Sequence, residues 1–322
     1  MTVGSLRSLS GTDPATYRPH PLHDHGRTHP ETNCYADIVI ELLHACGYEP
    51  LAAFGFLVRM DFEGDQWTFF KPPPEDLEAL FGIGIHEMQP YRPLPIQIAE
   101  QLEQGRTIVT ELDSFHLPDT ASTTYRLEHV KTSIAADAID PDAETLRYFH
   151  NAGLFELEGE DYRGAFRLGG GFSPDVLPPY TEIVRFDAGE RLDEPALRTA
   201  SLELLRGHLV RRPCENPFER FGAQLSRKLP SMLQAGPGAY HAYAFATVRM
   251  VGAAFEVAAT YSEWLLGPRA EQPATAMREI VDGCKVLGFR LARRRPFDSE
   301  PAIAGLARAW TEAIGGLEAS IP

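Results

Sequence analysis

A cysteine at the start of an apolar helix is the residue with the clearest chemical role in this chain. Cys34 directly follows Asn33, whose side-chain oxygen is well suited to cap a helix, and apolar residues then recur at helical spacing as far as Leu43. A thiol in the first helical turn lies at the positive end of the helix dipole, which favours the nucleophilic thiolate. Cys34 is therefore a candidate nucleophile, with a small buried packing residue as the alternative. We interpret the other cysteines as packing residues, namely Cys46, Cys214 and Cys284.

A thiol nucleophile needs a base and a third residue that orients the base. His129 begins a predicted strand and is the candidate base, with an ordinary strand histidine as the alternative. Asn151, at the end of the next predicted strand, is the candidate orienting residue. His150 competes with it, although it would point to the other face of that strand. Asp113 closes an earlier strand, where it either lines the cleft or caps the turn.

Several further polar residues are candidates for substrate contacts. The Cys34 backbone N–H, together with the side chain of Asn33 or Gln66, could donate to a developing oxyanion. His241 and Arg249 are eight residues apart on a predicted helix, so we expect both on similar faces, lining a substrate pocket.

An acidic patch beside an aromatic residue is the remaining candidate site. Asp61, Glu63 and Asp65 precede Trp67, and together they could hold a substrate ammonium group, with a solvated loop as the alternative. The spacing of the cysteines and histidines matches no zinc pattern. We therefore expect neither a bound metal nor a cofactor held by the protein itself.

Composition excludes several classes of function. The chain has 322 residues and a net charge of −15, which disfavours nonspecific nucleic-acid binding. It shows neither a signal-peptide pattern nor an apolar run long enough to span a membrane, so we expect a cytoplasmic protein. One short stretch of this acidic chain is basic and contains Arg290, Arg293, Arg294 and Arg295. They either complement a helix C-terminus or form a docking patch for an acidic partner.

The order of predicted elements indicates two domains. A helix, then strands, then a long helical block predict an α+β domain over residues 1–175, with an irregular N-terminal segment, and an all-α domain over residues 176–322. Strands are predicted at 107–113, from His129, at 146–151 and at 154–157. Long helices are predicted near 194–211, 217–233, 239–267, 271–294 and 299–318.

Several long motifs resemble the bacterial family of domain of unknown function 1839, and the resemblance spans nearly the whole chain. They are the runs 31–35 (ETNCY), 61–71 (DFEGDQWTFFK), 117–120 (LPDT), 129–132 (HVKT), 148–153 (YFHNAG) and 240–250 (YHAYAFATVRM).

A more distant resemblance carries more chemistry. The order of the Cys34 helix, the run 105–109 leading to Asp113, and His129 is similar to the N-terminal domain family of butirosin biosynthesis protein H. That resemblance implies a papain-like fold in which Cys34 attacks an aminoacyl thioester and His129 acts as the base. The resemblance ends at the third residue of the implied catalytic set, which follows the third strand. That family has Asp-Pro at this point, whereas this chain has His150 followed by Asn151.

The same resemblance implies the partners. The acyl donor would sit on the phosphopantetheinyl arm of an acyl or aminoacyl carrier protein, and a small-molecule amine would accept the acyl group. No nucleic acid and no membrane is expected as a partner. Two other functions stay open at this point: a cysteine hydrolase of the same fold, acting as a peptidase or amidase, and a noncatalytic module that binds a carrier protein.

Overall fold

The computed structural model describes residues 8–169 and 177–321, and it divides the chain into two compact units. Unit 1 contains Met1–His23, Asn33–Pro50 and Leu77–Arg191. Unit 2 contains Asp24–Thr32, Leu51–Asp76 and Leu192–Pro322. The predicted domain boundary at residue 175 falls within residues 170–176, which lie outside the described residues. The two units instead divide at Arg191, and two segments from the first third of the chain belong to the helical unit.

Unit 1 is built on a six-stranded antiparallel sheet with the order β1-β6-β2-β3-β4-β5. The strands are β1 (Gly84–Glu87), β2 (Thr107–Asp113), β3 (Lys131–Asp140), β4 (Thr145–His150), β5 (Gly153–Glu158) and β6 (Thr181–Arg185). The predicted strands correspond to β2 to β5. The short strands β1 and β6 were not predicted, because each gains its hydrogen bonds from positions far away in the chain.

The helices within or bordering unit 1 cover both faces of this sheet. They are α1 (Cys34–Ala45), α2 (Pro74–Phe81), α3 (Leu94–Glu103) and α4 (Gly159–Ala165). Leu94 and Ile98 of α3 share a buried core with Leu112 and Ile134, which defines the α3 face of the sheet. Tyr35 of α1 instead reaches the opposite face.

The contact made by Tyr35 shows which face α1 covers. The Tyr35 hydroxyl donates to Glu182 of β6 at 2.7 Å. The next residue, Ile183, packs against the α3-face core, so by strand alternation Glu182 points to the other side. We call that side the α1 face, and α1 packs there against β3 and β4.

The C-terminal region of the described chain is helical, as the sequence predicts. Its helices are α5 (Glu194–Val210), α6 (Pro217–Ala235), α7 (Pro237–Ala244), a π-helical turn (Phe245–Arg249), α8 (Met250–Leu266), α9 (Glu271–Ala292) and α10 (Glu300–Ser320). Asn216 caps α6 by accepting from the Phe218 amide at 3.0 Å, and Pro217 occupies the first helical position. A β-carbon at Gly222 would clash with Ile303, so glycine permits the close approach of α6 and α10.

One helical stretch passes a length and composition test for a membrane span. It runs over Pro237–Ala292 with a mean hydropathy of 1.2 in its most apolar window, and 61% of that window is buried. Core helices of soluble proteins meet the same test.

Candidate functional site

Cys34 occupies the position in unit 1 that the sequence predicts. Asn33 has extended backbone angles and its side-chain oxygen accepts from the Ala36 amide at 3.1 Å, so Cys34 is the first residue of a capped helix. The thiol is partly exposed and makes no hydrogen bond within the described part of the chain. It therefore combines the favourable end of the helix dipole with access to solvent.

The other cysteines differ from Cys34 in ways that bear on reactivity. Burial, with the nearby Asp137 charge, raises the pKa of Cys46 to about 11. Burial also raises the pKa of Cys284 well above its usual range. Both thiols are therefore poor nucleophiles near neutral pH. Cys214 is exposed, which differs from the packing role that the sequence indicates.

An imidazole oriented by a carboxylate lies at the end of strand β2. His129 Nδ1 lies 2.6 Å from Asp113 Oδ2, and the ring stacks on Phe115 with 4.4 Å between ring centroids. Asp113 pairs with Lys131 in register and alternates with Leu112 of the α3-face core, so its side chain points to the α1 face. The contact to Nδ1 leaves Nε2 available to exchange protons.

Asp113 caps the turn, which is one of the two roles that the sequence left open, and it also contacts His129. Its Oδ1 accepts from the Phe115 amide at 3.1 Å and so caps the short turn Ser114–His116. Its Oδ2 holds the ring of His129. The side chain of His129 is 70% exposed, and it lies in the link just before β3 rather than within that strand.

His150 and Asn151 do not orient His129 in this structure. His150 is buried, with Nδ1 2.5 Å from Asp119 Oδ2 and Nε2 2.8 Å from the Thr132 hydroxyl. Thr132 pairs with Leu112, so this network lies on the α3 face, away from α1. Asn151 occupies a turn after β4 with a φ of 46°, a left-handed conformation that asparagine tolerates well. The carboxylate that contacts His129 in this structure belongs to Asp113.

The predicted acidic patch belongs to unit 2 and is largely neutralised there. Asp61 pairs with Arg220, and Asp65 pairs with Lys228. Trp67 is buried and packs on Phe218 with 4.8 Å between ring centroids. Two carboxylates that already have cationic partners are poorly placed to hold a substrate ammonium group.

Glu63, the remaining member of the predicted acidic patch, and Gln66, a predicted oxyanion donor, are both exposed. Glu63 and Gln66 lie in the short loop before Trp67, and the backbone N–H of Glu63 donates to the carbonyl of Gln66 at 2.9 Å. Gln66 therefore lies in a unit 2 loop, whereas Cys34 belongs to unit 1. The Asn33 side-chain oxygen accepts from the Ala36 amide, and this cap does not involve the Nδ2 group through which Asn33 would donate to an oxyanion.

His241 and Arg249 differ in burial, which the expectation of similar helix faces does not predict. His241 is exposed on α7, whereas Arg249 is half-buried at the end of the π-helical turn, whose i→i+5 hydrogen bonds place more residues in each turn than an α-helix has. Arg249 Nε donates to the Thr32 hydroxyl at 3.0 Å, and one terminal nitrogen donates to the Pro30 carbonyl at 2.8 Å. Arg249 therefore holds the segment that leads into Asn33 and Cys34.

Two family comparisons cover most of the chain. Residues 18–186 match the DUF1839 N-terminal domain, and residues 194–319 match the DUF1839 C-terminal domain. The chain belongs to the DUF1839 family. The boundary between the two DUF1839 domains follows β6 and lies close to the division of the compact units at Arg191. A comparison with curated proteins finds no match.

Sequence reasoning missed a carboxylate in the DUF1839 C-terminal domain that holds the same segment as Arg249. Glu256 accepts from the Thr28 amide at 2.6 Å and from the His29 amide at 2.9 Å. Arg27 lies 3.8 Å from the same carboxylate. A glutamate on an apolar helix, seven residues after Arg249, was the only available sign of this role.

Sequence reasoning also missed a buried charge network in the DUF1839 N-terminal domain. His23 contacts Asp37 Oδ1 at 3.1 Å through Nε2 and Glu41 through Nδ1, and the Tyr17 hydroxyl donates to Glu41. Burial by itself lowers the pKa of His23, but the hydrogen bonds and charges of the two carboxylates outweigh it and raise that pKa to about 9. A protonated His23 therefore fastens the N-terminal segment to α1.

Proposed function

We propose that this DUF1839 protein is a cysteine acyltransferase with a papain-like site in unit 1. Cys34 is the nucleophile, His129 is the base, and Asp113 orients His129. One observation carries the proposal: unit 1 contains both a partly exposed thiol at a capped helix start and, at the end of β2, an imidazole held by a carboxylate. A helix packed on an antiparallel sheet also provides the frame on which papain-type sites are built.

In the proposed first step, Cys34 attacks the carbonyl carbon of a thioester while its proton passes to His129 Nε2. Asp113 stabilises the imidazolium through Nδ1–H, and the Cys34 backbone N–H donates to the oxyanion. The tetrahedral intermediate then collapses, the carbon–sulfur bond of the donor breaks, and the departing thiolate takes the proton from His129. The product of this step is an acyl-Cys34 enzyme.

In the second step an amine attacks the acyl-Cys34 carbonyl. His129 Nε2 accepts the amine proton, the amide bond forms, and Cys34 leaves as a thiolate. Cys34 and His129 are not hydrogen bonded to each other in this structure. The proposal therefore requires the exposed His129 ring to reach Sγ when substrate binds, as catalytic hydrogen bonds often tighten only in the complex.

The resemblance to the butirosin family supports a carrier-protein thioester as the donor and a small-molecule amine as the acceptor. Neither Asp61 nor Asp65 supports recognition of the donor's ammonium, because both are paired with cations.

The absence of a hydrogen bond between Cys34 and His129 in the described structure favours a second candidate, a noncatalytic module that binds a carrier protein. The two proposals differ in two observables. A binding module forms no acyl-enzyme, and its Cys34 reacts no faster than an ordinary exposed thiol.

The deciding experiment incubates the protein with a glycyl-loaded carrier protein and measures the intact mass. We expect an added glycyl mass on the wild type and on the Cys214→Ala control, but none on Cys34→Ala. Adding an amine should then release the glycyl group as an amide, whereas release as free glycine would indicate a hydrolase. No adduct with any of several aminoacyl groups would contradict the acyltransferase proposal.

A further inference from the structure

A basic and apolar stripe on α9 has no partner within the described chain. Arg290, Arg293, Arg294 and Arg295, which we call the arginine cluster, lie within six positions at the end of that helix. All four are exposed, and none forms an ion pair or a side-chain hydrogen bond with any described residue. Most arginines elsewhere in the structure do find carboxylate or carbonyl partners, so the cluster is unusual in this strongly acidic chain.

The stripe continues one to two turns back along α9, beyond the reach of the helix dipole. Val286 is 48% exposed and Phe289 is 62% exposed, and Lys285 lies beside them without a carboxylate partner. Positions 285, 289 and 293 are four apart and therefore form one line along the helix surface. The helix dipole accounts for cations in the last turn only, and it does not account for two exposed apolar side chains.

The opposite side of α9 is packed against neighbouring helices, which holds the stripe in position. Cys284, Leu287 and Leu291 are buried, and α9 packs against both α8 and α10. The Tyr240 hydroxyl also donates to the Gly288 carbonyl at 3.2 Å. A rigid helix therefore presents cations and apolar side chains outward together, which is the composition of a helix-docking surface rather than of a solvated face.

We propose that the α9 stripe, consisting of Lys285, Val286, Phe289 and the arginine cluster, is the docking surface for the acidic carrier protein that delivers the thioester. The inference rests on the proposed function for the identity of this partner. Charge complementarity carries it: the net charge of −15 repels an acidic protein elsewhere, whereas the stripe offers unpaired cations around an apolar centre. Carboxylates of the carrier would meet the arginines, and an apolar side chain of the carrier would cover Phe289.

The test compares two donors of the same acyl group in the full-length protein. One is a glycyl-loaded carrier protein, and the other is glycyl-N-acetylcysteamine, a small thioester that has no protein to dock. The variant Arg290→Glu/Arg293→Glu should slow acylation of Cys34 by the carrier about tenfold or more at low salt, since rim charges control encounter. Acylation by the small thioester should not change, and the effect should shrink in 0.5 M salt, at which charges are screened within roughly 4 Å.

Matched variants separate docking from other effects. Arg227→Glu/Arg269→Glu makes the same change in net charge at two exposed arginines outside the stripe, so it should leave both rates unchanged. Phe289→Ala should weaken carrier-dependent acylation, whereas Val210→Ala, another exposed apolar truncation, should not. Thermal melts of all variants would show whether the fold is kept.

The outcomes distinguish this inference from the proposed function. If the carrier protein acylates Cys34 at the same rate in the wild type and in Arg290→Glu/Arg293→Glu, the docking surface is overturned. The acyltransferase proposal is then unaffected. An equal loss with both donors also overturns it, because the defect then lies in the site or the fold. If neither donor acylates Cys34, the proposed function fails. Calorimetric titration with the carrier protein then tests the docking surface by itself. The docking surface is supported only if the wild type binds the carrier protein and Arg290→Glu/Arg293→Glu does not.

Two other occupants are distinguishable in the same series. Self-association measured by light scattering, if it depends on Arg290 and Arg293, would identify a second copy of this chain as the occupant. Binding of a duplex DNA oligonucleotide in place of the carrier would identify a nucleic acid. Either result overturns the carrier proposal.

Discussion

At the scale of single residues, the environments of the four cysteines differ enough to predict an order of reactivity. Cys34 combines exposure with a helix start, Cys214 has exposure alone, and burial raises the pKa of both Cys46 and Cys284. Because only the thiolate reacts with alkylating agents, local electrostatics and burial should separate these sites more strongly than exposure does.

We expect iodoacetamide at pH 7.5 to modify Cys34 about tenfold faster than Cys214, since Cys34 is the first residue of a capped helix and lies at the positive end of the helix dipole. Cys46 and Cys284 should react last. Peptide mass spectrometry over time gives all four rates from one sample, with Cys214 as the internal control for exposure. A Cys34 rate no greater than that of Cys214 would remove the basis for a catalytic thiol.

A second prediction concerns the carboxylate that holds His129. Asp113→Asn keeps an oxygen for the Phe115 amide but loses the charge that stabilises an imidazolium, so acylation of Cys34 should fall roughly a hundredfold with little change in melting temperature. The pH dependence of the remaining rate should also change, which a purely structural role would not produce.

The matched control is Asp119→Asn, which perturbs the buried network of His150 and Tyr148 on the other face of the sheet. That variant should lower thermal stability, because it weakens two hydrogen bonds to a buried carboxylate. Its pH–rate profile should keep the wild-type shape. Loss of activity with Asp119→Asn but not with Asp113→Asn would assign the base to His150 instead.

At the scale of elements, the packing of α1 depends on the buried charge of His23. Because the folded state raises the pKa of His23 from 6.5 to about 9, protonated His23 stabilises the fold, and this contribution is fully present below pH 6.5. It is lost as the pH rises through 9. The shift corresponds to about 3 kcal/mol at most.

Denaturant unfolding between pH 6 and 10 measures this contribution. The wild type should lose stability progressively from about pH 6.5 to 9, and His23→Gln should show a flatter curve over the same range. Burial and the charge of Glu41 raise the pKa of Tyr17, so that residue keeps its proton throughout. His25→Gln, at an exposed histidine, is the control. An unchanged slope in His23→Gln would refute the assignment.

The segment that leads into α1 is a second element, and we expect its order to depend on the Glu256 carboxylate. Glu256→Gln replaces one acceptor oxygen with an NH2 group facing a backbone N–H, which costs about 1–3 kcal/mol locally. Amide hydrogen exchange at Thr28 and His29 should become faster, and the loosening should extend to the Cys34 helix start. Glu263→Gln, which alters an exposed pair with Arg278, should leave these amides unchanged. Equal protection in both variants would show that Glu256 does not order the segment.

At the scale of the whole molecule, unit 2 is assembled from three separate pieces of chain. Trp67 packs on Phe218, Asp76 Oδ2 lies 2.7 Å from His208 Nε2, and the Ser201 hydroxyl donates to the Ala52 carbonyl at 3.1 Å. The helical block thus completes its core with residues that precede most of the sheet in sequence.

We therefore expect the fragment 192–322 not to fold cooperatively on its own. Without residues 24–32 and 51–76 it exposes the apolar surface that Trp67 covers and leaves buried His208 without its carboxylate. Near-ultraviolet circular dichroism and a thermal melt should show helix without a sharp transition. In the full chain, Trp67→Ala should cost about 3–5 kcal/mol. A cooperative melt of the isolated fragment would contradict this account of unit 2.

The sequence by itself determined the local elements. The cap at Asn33, the start of α1 at Cys34, strand β2 and the long C-terminal helices all follow from interactions between residues within a few positions of one another. Such interactions are readable from spacing, because a cap or an amphipathic period lies within a short stretch of chain. Cys34 and His129 were found in this way. The predicted papain-like fold, reaction and partners depended on the family resemblance instead.

Tertiary structure decided how distant residues combine. It paired His129 with Asp113 rather than Asn151, because two antiparallel strands place positions 113 and 131 side by side and alternation sends His150 to the other face. It also paired Asp61 with Arg220, which lies 159 positions later. Pairings of this kind depend on which surfaces pack together to bury apolar area, and no spacing within a single sequence specifies that choice.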